Sequence, residues 1–367
     1  GVCFMNIKKI STALLLTAGS LFAKDYWGAE LYTDETYQYG RFEARMQMAA
    51  ESGLVSSMFL YHNDSYMGNG EPWVEVDIEV LGKAPGSFQS NIISGTAEKK
   101  VTSEKHHDVN PQANQSFHVY AMEWTDKYVA WFLDGVEVRK AEVGSTDTKN
   151  QVQALVKQQG LRFNIWSSES EAWVGAFDPN KLPLYQYIDW VKVYDYTPGS
   201  GDAGTGNNFK LRYADDFNGP ALDIRWNTGD WTFDENRVDI TSNNVAVKDG
   251  YAIIGITKAG QGVATATIPM PNDPNKGLDS NPQSIKANPS VGSSIKLGKN
   301  NSVVLQIAET GNVFYKVTNT RGEVVLKNSK TMSKGTHSVS LSKLPAGTYF
   351  MSVSQGNNTE TMQLNIK

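Results

Sequence analysis

Residues 73–82 read WVEVDIEVLG. In an extended chain successive side chains point to opposite faces. The odd positions are Trp73, Glu75, Asp77 and Glu79, and the even positions are Val74, Val76, Ile78 and Val80. One face is wholly apolar and belongs in a core; the other carries three carboxylates and an indole. Three acids on one face are also what a solvated edge strand shows. The unbroken apolar face opposite them argues instead for a central strand, and Trp73 beside them for a ligand-facing surface.

Neighbouring stretches repeat the pattern. Phe59, Tyr61 and Asn63 share a face, as do Gln89 and Asn91. Arg162, Asn164 and Trp166 alternate with apolar Leu161, Phe163 and Ile165. Side by side, such strands make a sheet with one greasy side and one side of aromatics, amides and charge. Sugar rings, with apolar C–H faces and hydroxyl edges, suit that second side. Composition agrees with an all-β chain: of 367 residues, 32 are Gly, and Trp 9, Tyr 16 and Phe 14 supply many aromatics. Lys+Arg 34 against Asp+Glu 39 leaves a net charge of −5, without the basic footprint of a nucleic-acid reader. Cys3 is the only cysteine, which excludes a disulfide framework and Cys-based zinc sites. His106 and His107 are adjacent, so on a strand they face opposite ways and share no ion.

The chemistry open to a row of carboxylates is glycoside hydrolysis. Two carboxyl groups about 5–5.5 Å apart permit retention of configuration, one attacking the anomeric carbon while the other protonates the leaving oxygen. Glu75 and Glu79 lie four residues apart, about 13 Å along an ideal strand. The row therefore requires a concave sheet with the long Glu side chains leaning inward. In this reading Glu75 is the nucleophile and Glu79 the general acid/base. Asp77 tunes them, its charge keeping one neighbouring carboxyl protonated.

WVEVDIEVLG resembles the active-site signature of glycoside hydrolase family 16, and within it the lichenase branch. The resemblance extends through GRFEARMQMAAESGLVSSMFLY, FQSNIISG, TSEKHH, LRFNIWSSESEAWVG and YIDWVKVY, most of residues 28–195. It implies a jelly-roll, concanavalin A-like β-sandwich that cuts β-1,4 linkages in mixed-linkage β-1,3-1,4-glucan with retention. The E-x-D-x-E spacing lacks the extra residue that forms a bulge in the laminarinase-like branch. Xyloglucan-active relatives share the spacing but usually add a cysteine-bearing extension absent here. A non-catalytic, lectin-like glucan binder is the rival of another class. The segment DDFNGPALDIRWNTGDWTFDENRVDITSNNVAVKDGYAIIGITK follows the catalytic strand, whereas in most lichenases its counterpart precedes it. That order resembles a circularly permuted lichenase of rumen bacteria.

The resemblance assigns substrate-binding positions to Phe59, Tyr61, Asn63, Trp73, Gln89, Asn91, Glu104, Arg162, Asn164, Trp166 and Trp173. In the transposed segment it assigns Trp231, Phe233 and Asn236. Trp124, Trp131 and Trp226 read as core. Lys100 stands where the permuted relative has Gln. The resemblance also implies a structural Ca2+ on the convex side, held by the Asp189 side chain and the backbone carbonyls of Asp216 and Gly250, oxygen ligands that suit calcium.

Residues 1–23 read as a secretory signal peptide: Met5, then Lys8 and Lys9, then an apolar run over 10–22, then Ala23. Residues 24–268 form the catalytic domain, with a flexible Gly-rich joint at 198–208. Residues 269–290, rich in Pro and Asn, read as a linker. Residues 291–367 form a small β-sandwich with turns at Arg321-Gly322 and Gln355-Gly356, and none of the nine Trp lies in it. Its end, LPAGTYFMSVSQGNNTETMQLNIK, resembles the C-terminal sorting domain of the type IX secretion system, which is then its partner. A carbohydrate-binding module is the alternative, with Phe314, Tyr315, Tyr349 or Phe350 as stacking residues. The expected protein is a monomer, secreted or held at the cell surface, with no membrane span once mature.

Overall fold

The computed structural model describes residues 23–277, 294–298, 301–356 and 358–366. The expected signal peptide, bar Ala23, and most of the expected linker lie outside them. The first strands are β1 (Tyr26–Thr33), β2 (Gly40–Gln47), β3 (Leu54–Tyr61), β4 (Glu75–Leu81) and β5 (Ser87–Thr96). Next come β6 (Lys99–Val101), β7 (Lys105–Asp108), β8 (His118–Trp124), β9 (Tyr128–Leu133) and β10 (Val136–Glu142). β11 (Gly160–Ser167), β12 (Leu184–Tyr196), β13 (Phe209–Asp215), β14 (Trp226–Thr228), β15 (Val238–Ile240), β16 (Val245–Lys248) and β17 (Tyr251–Lys258) complete the larger unit.

Hydrogen-bonded neighbours run β7–β5–β4–β3–β11–β1–β14, all antiparallel. A second set runs β10–β9–β8–β2–β12, with β13 and β17 pairing different stretches of β12. The two layers close over one core as a jelly-roll β-sandwich. The even positions of 73–80 supply it: Val74, Val76, Ile78 and Val80 are all 0% exposed. Burying each is worth about 1.5–3 kcal/mol, and a one-residue slip would exchange all four with the carboxylates. Trp124 and Trp131 are fully buried and Trp226 nearly so, as expected of core residues. Trp131 also donates its indole N–H to the backbone oxygen of Asp77, 2.9 Å away, tying β9 to the middle of β4. Asp134-Gly135 forms the two-residue β9–β10 hairpin with both residues at positive φ (49° and 82°), the left-handed turn that Asp-Gly favours.

The transposed segment does not form a unit of its own. β14, β15 and β17 all pair with β1, so residues on both sides of 198–208 belong to one sandwich. The expected flexible joint is folded: Thr205 N–H donates to buried Glu123 and Phe209 exchanges backbone bonds with Ala203. The start of the expected linker is likewise packed. Tyr187 donates to the Pro269 carbonyl, Asp273 pairs with Arg45, and Gly277 N–H donates to Asp189. Packed chain therefore runs on to residue 277, because a proline-rich stretch with an acid to pair can still lie flat on a sheet.

The tail comprises β18 (Ser294–Leu297), β19 (Ser302–Ile307), β20 (Gly311–Asn319), β21 (Val324–Met332), β22 (Gly335–Ser340), β23 (Gly347–Gln355) and β24 (Asn358–Ile366). Sheets β18–β19–β22 and β21–β20–β23–β24 enclose a separate core around Val303, Leu305, Val317, Met351 and Leu364. Gly322 and Gly356 sit at positive φ in the expected turns.

Candidate active site

β4 carries its carboxylates across the middle of the first layer. Its pairing with β3 runs without a shift from Tyr61↔Glu75 through Phe59↔Asp77 and Ser57↔Glu79. On the other side Asp77 pairs with Asn91 and Glu79 with Gln89. On β11, Arg162 pairs with Phe59 and with Tyr32 of β1, and Asn164 pairs with Ser57 and Glu30. The strand faces picked out by alternation thus share one trough floor.

The three carboxyls have different surroundings. Glu75 accepts a 2.5 Å hydrogen bond from the Trp73 indole. Burial raises its pKa above the ordinary value, and the Trp73 N–H, the Lys100 charge, Asp77 and Arg162 offset only part of that rise. Glu79 accepts from Gln89 Nε2 at 2.9 Å. Its pKa is pushed up to about 8 by burial, then by the charge of Glu75, with Glu104 adding to it. Asp77 is only 3% exposed and its Oδ2 has no hydrogen-bond partner. Burial, with Glu75 and Glu79 on either side, holds its pKa well above the carboxylate range. The expectation gave Asp77 a charge; its depth and the acids on either side disfavour that charged form.

The other expected positions separate into groups. Arg162 donates to Glu30 and to Asn63 Oδ1 (2.6 Å), and its guanidinium lies over Tyr32 and Tyr61. Tyr61 stands edge-on to Trp73 at 5.8 Å between centroids. Asn164 accepts from Ser57 Oγ at 2.5 Å. Asn91 accepts from the Ser103 N–H. Trp166 packs between Trp173 and Phe233, at 5.8 and 5.0 Å. Trp231 and Phe233 remain 37% and 38% exposed, large rings left open to a ligand. Asn236 is placed differently from expectation. It is 1% exposed and closes its amide on both backbone groups of Val238, so it shapes the loop and offers no free group to the trough.

Glu30, Tyr32, Ser57 and Lys100 also belong to the site, and the reading of the sequence assigned none of them. For Glu30 and Tyr32 a signal existed, since they alternate with fully buried Ala29 and Leu31. Lys100, the middle residue of the short strand β6, places its Nζ 3.5 Å from the centre of the Trp73 ring. Only the fold brings it there.

The residues expected to hold calcium do not fit an ion in this arrangement. Asp189 is fully buried and its carboxylate is already occupied by Arg45 Nη1 (2.7 Å) and the Gly277 N–H. A Cβ built on Gly250 would meet Lys276 Nζ at 2.3 Å. Two cationic side chains stand where a cation was expected. Among the described residues no cluster of three or more His, Cys, Asp or Glu offers another metal site. His107 hydrogen-bonds Ser90 while His106 is exposed, in keeping with opposite faces.

Comparison with known proteins now bears on the trough. The model of glycosyl hydrolases family 16 matches residues 5–192. A beta-glucanase of Fibrobacter succinogenes is 56% identical over 279 residues, covering 74% of this chain and 77% of that one. The chain belongs to glycosyl hydrolase family 16. It is a glycoside hydrolase of the β-glucanase kind. A beta-glucanase of Brevibacillus brevis is 35% identical over 177 residues, 48% of this chain and 62% of that protein. The solved Bacillus licheniformis beta-glucanase is 30% identical with a TM-score of 0.38, over 45% of this chain and 70% of that one. Residues 299–367 match a secretion system C-terminal sorting domain, so this family 16 chain carries an export tail. No helix among the described residues is long and apolar enough to cross a membrane.

Proposed function

We propose that this family 16 enzyme is a retaining endo-β-glucanase that cuts β-1,4 linkages in mixed-linkage β-1,3-1,4-glucan. The observation that carries the reading is that Glu75 and Glu79 share one strand face but have different partners, the Trp73 indole for Glu75 and the Gln89 amide for Glu79. Glu79, pushed up to about 8, keeps a proton to give. Glu75 sits where an indole N–H and two cations favour its ionised form against the cost of burial.

In the first step Glu75 attacks the anomeric carbon. The C1–O4 bond breaks and Glu79 passes its proton to the departing oxygen, leaving a glycosyl ester on Glu75. In the second, Glu79 takes a proton from water, the hydroxide attacks C1, and Glu75 leaves as carboxylate. Asp77, whose charged form burial disfavours, hydrogen-bonds Glu75 and limits the negative charge on the floor. Trp73, Tyr61, Trp231 and Phe233 supply faces for sugar rings, and Arg162, Asn63 and Gln89 supply hydrogen bonds.

Unbroken β3–β4 pairing supports the mixed-linkage preference over the laminarinase type, because no bulge shifts the carboxylates. The order of the chain, with β14 to β17 following the catalytic strand yet flanking β1, supports the permuted arrangement. The tail implies passage through type IX secretion machinery to the medium or the cell surface. The test is reducing-sugar release from barley β-glucan by the wild type, Glu75→Gln and Glu79→Gln, with mass spectrometry of a fluoro-sugar-trapped enzyme. Turnover lost in both variants and a glycosyl adduct on Glu75 are expected. Near-wild-type rates in either variant, or no release by the wild type, overturn the reading.

A further inference from the structure

The four-stranded sheet of the tail has two faces. One builds the tail's own core through Val313, Tyr315, Val317, Met351 and Val353. Phe314 lies on the other face, outside that core, and is still only 2% exposed. The larger unit covers it. The same cross-strand row contains Ser329, whose Oγ donates to Glu35 at 2.7 Å and accepts from Arg212 of β13 at 2.8 Å. Thr359 of this row donates to Asp223 at 3.1 Å. This first row docks the tail against the edge next to the second layer.

The next row is Lys327–Lys316–Ser352–Thr361. Two lysines directly opposite on neighbouring strands repel one another. Here Asp34 stands between them, with Oδ2 3.1 Å from Lys316 Nζ, Oδ1 3.4 Å from Lys327 Nζ, and its side chain only 2% exposed. Asp34 follows Glu30 and Tyr32 by alternation, and both of those face Arg162 in the trough. The rows of the tail therefore step from the second layer onto the rim of the trough. The third row holds Phe350, 38% exposed, between Thr318 on β20 and Gln363 on β24. An open aromatic face flanked by hydroxyl and amide groups is the surface a sugar ring takes.

The geometry points to the tail as a second stretch of the polysaccharide-binding surface: a β-glucan chain leaving the trough past Tyr32 and Trp231 runs over the Phe350 row, which the Lys316–Asp34–Lys327 contact beside it holds in place. This rests on the glucanase reading above, and the test separates the two. Full-length Phe350→Ala and Lys316→Glu/Lys327→Glu are compared with wild type on long barley β-glucan, on a short mixed-linkage oligosaccharide, and by retardation in gels containing β-glucan. Loss of one stacking contact is expected to raise KM on the polymer about two- to ten-fold with kcat unchanged. KM on the short substrate stays as it was, and gel retardation weakens. The double variant gives the same split together with a larger radius of gyration by small-angle scattering. Unchanged polymer KM and retardation in Phe350→Ala, or equal changes on both substrates, overturn the proposal. A wild type that is retarded by glucan but never cuts it overturns the glucanase reading alone.

Discussion

Glu79 keeps its proton to about pH 8 because burial and the charge of Glu75 both penalise its anion. Two consequences follow, and both turn unfavourable as pH rises. The alkaline limb of kcat/KM falls near pH 8, since the acid must be protonated to act. Stability falls as well. The unfolded chain loses this proton near the ordinary value of 4.5 while the folded chain holds it to about 8. The folded state thus binds more protons over that window and is progressively destabilised as pH rises through it. Glu79→Gln is expected to abolish turnover and to melt higher than wild type at pH 8.5, with little difference at pH 4.5. Differential scanning calorimetry at the two pH values checks it; a variant that melts lower at both contradicts the assignment. Lys100 makes a second residue-level case. Its ammonium over Trp73 favours ionised Glu75. Lys100→Gln therefore shifts the acid limb of kcat/KM to higher pH and lowers the rate several-fold below that limb. A Lys100→Arg variant, which keeps the charge, restores the wild-type profile.

At the scale of the strand, β4 holds the site by what lies behind it. Ile78 is fully buried among core residues directly beneath the Asp77–Glu79 step. Truncating it to Ala leaves a cavity and costs about 2–5 kcal/mol, readable in urea unfolding. A loss under about 1 kcal/mol would mean that the apolar face does not set the register. That face was legible in the sequence because parity is local: eight residues announce their two sides without knowledge of the fold. The same rule found β3, β5 and β11. It failed where position depends on contacts distant in sequence. Lys100 reaches Trp73 from β6, paired back along β5, and Asn236 spends its amide on an Asx-type turn that composition does not distinguish from a ligand. Asp77 read as charged because spacing carries no information on depth.

At the scale of the molecule the two cores, one in the sandwich and one in the tail, were legible from strand patterning. The polar contacts joining them were not, since Asp34 lies nearly three hundred residues from Lys316 and Lys327 and pairs with them only after both units fold. The convex side shows the same limit. An Asp on a strand is a fair ligand for calcium until Arg45 is seen paired with it and Lys276 beside Gly250. If those cations do the work of an ion, chelation removes nothing. An ion bound at a hundred times its Kd would add about 2.7 kcal/mol, or about 5–10 °C in Tm for a domain of this size. The expected result is a Tm in EDTA within about 1 °C of that in millimolar CaCl2. A rise of about 5 °C with calcium would mean that Arg45 swings off Asp189 to admit the ion. In that event Arg45→Met, which leaves Asp189 without its cation, should melt lower than wild type in EDTA and be rescued by calcium.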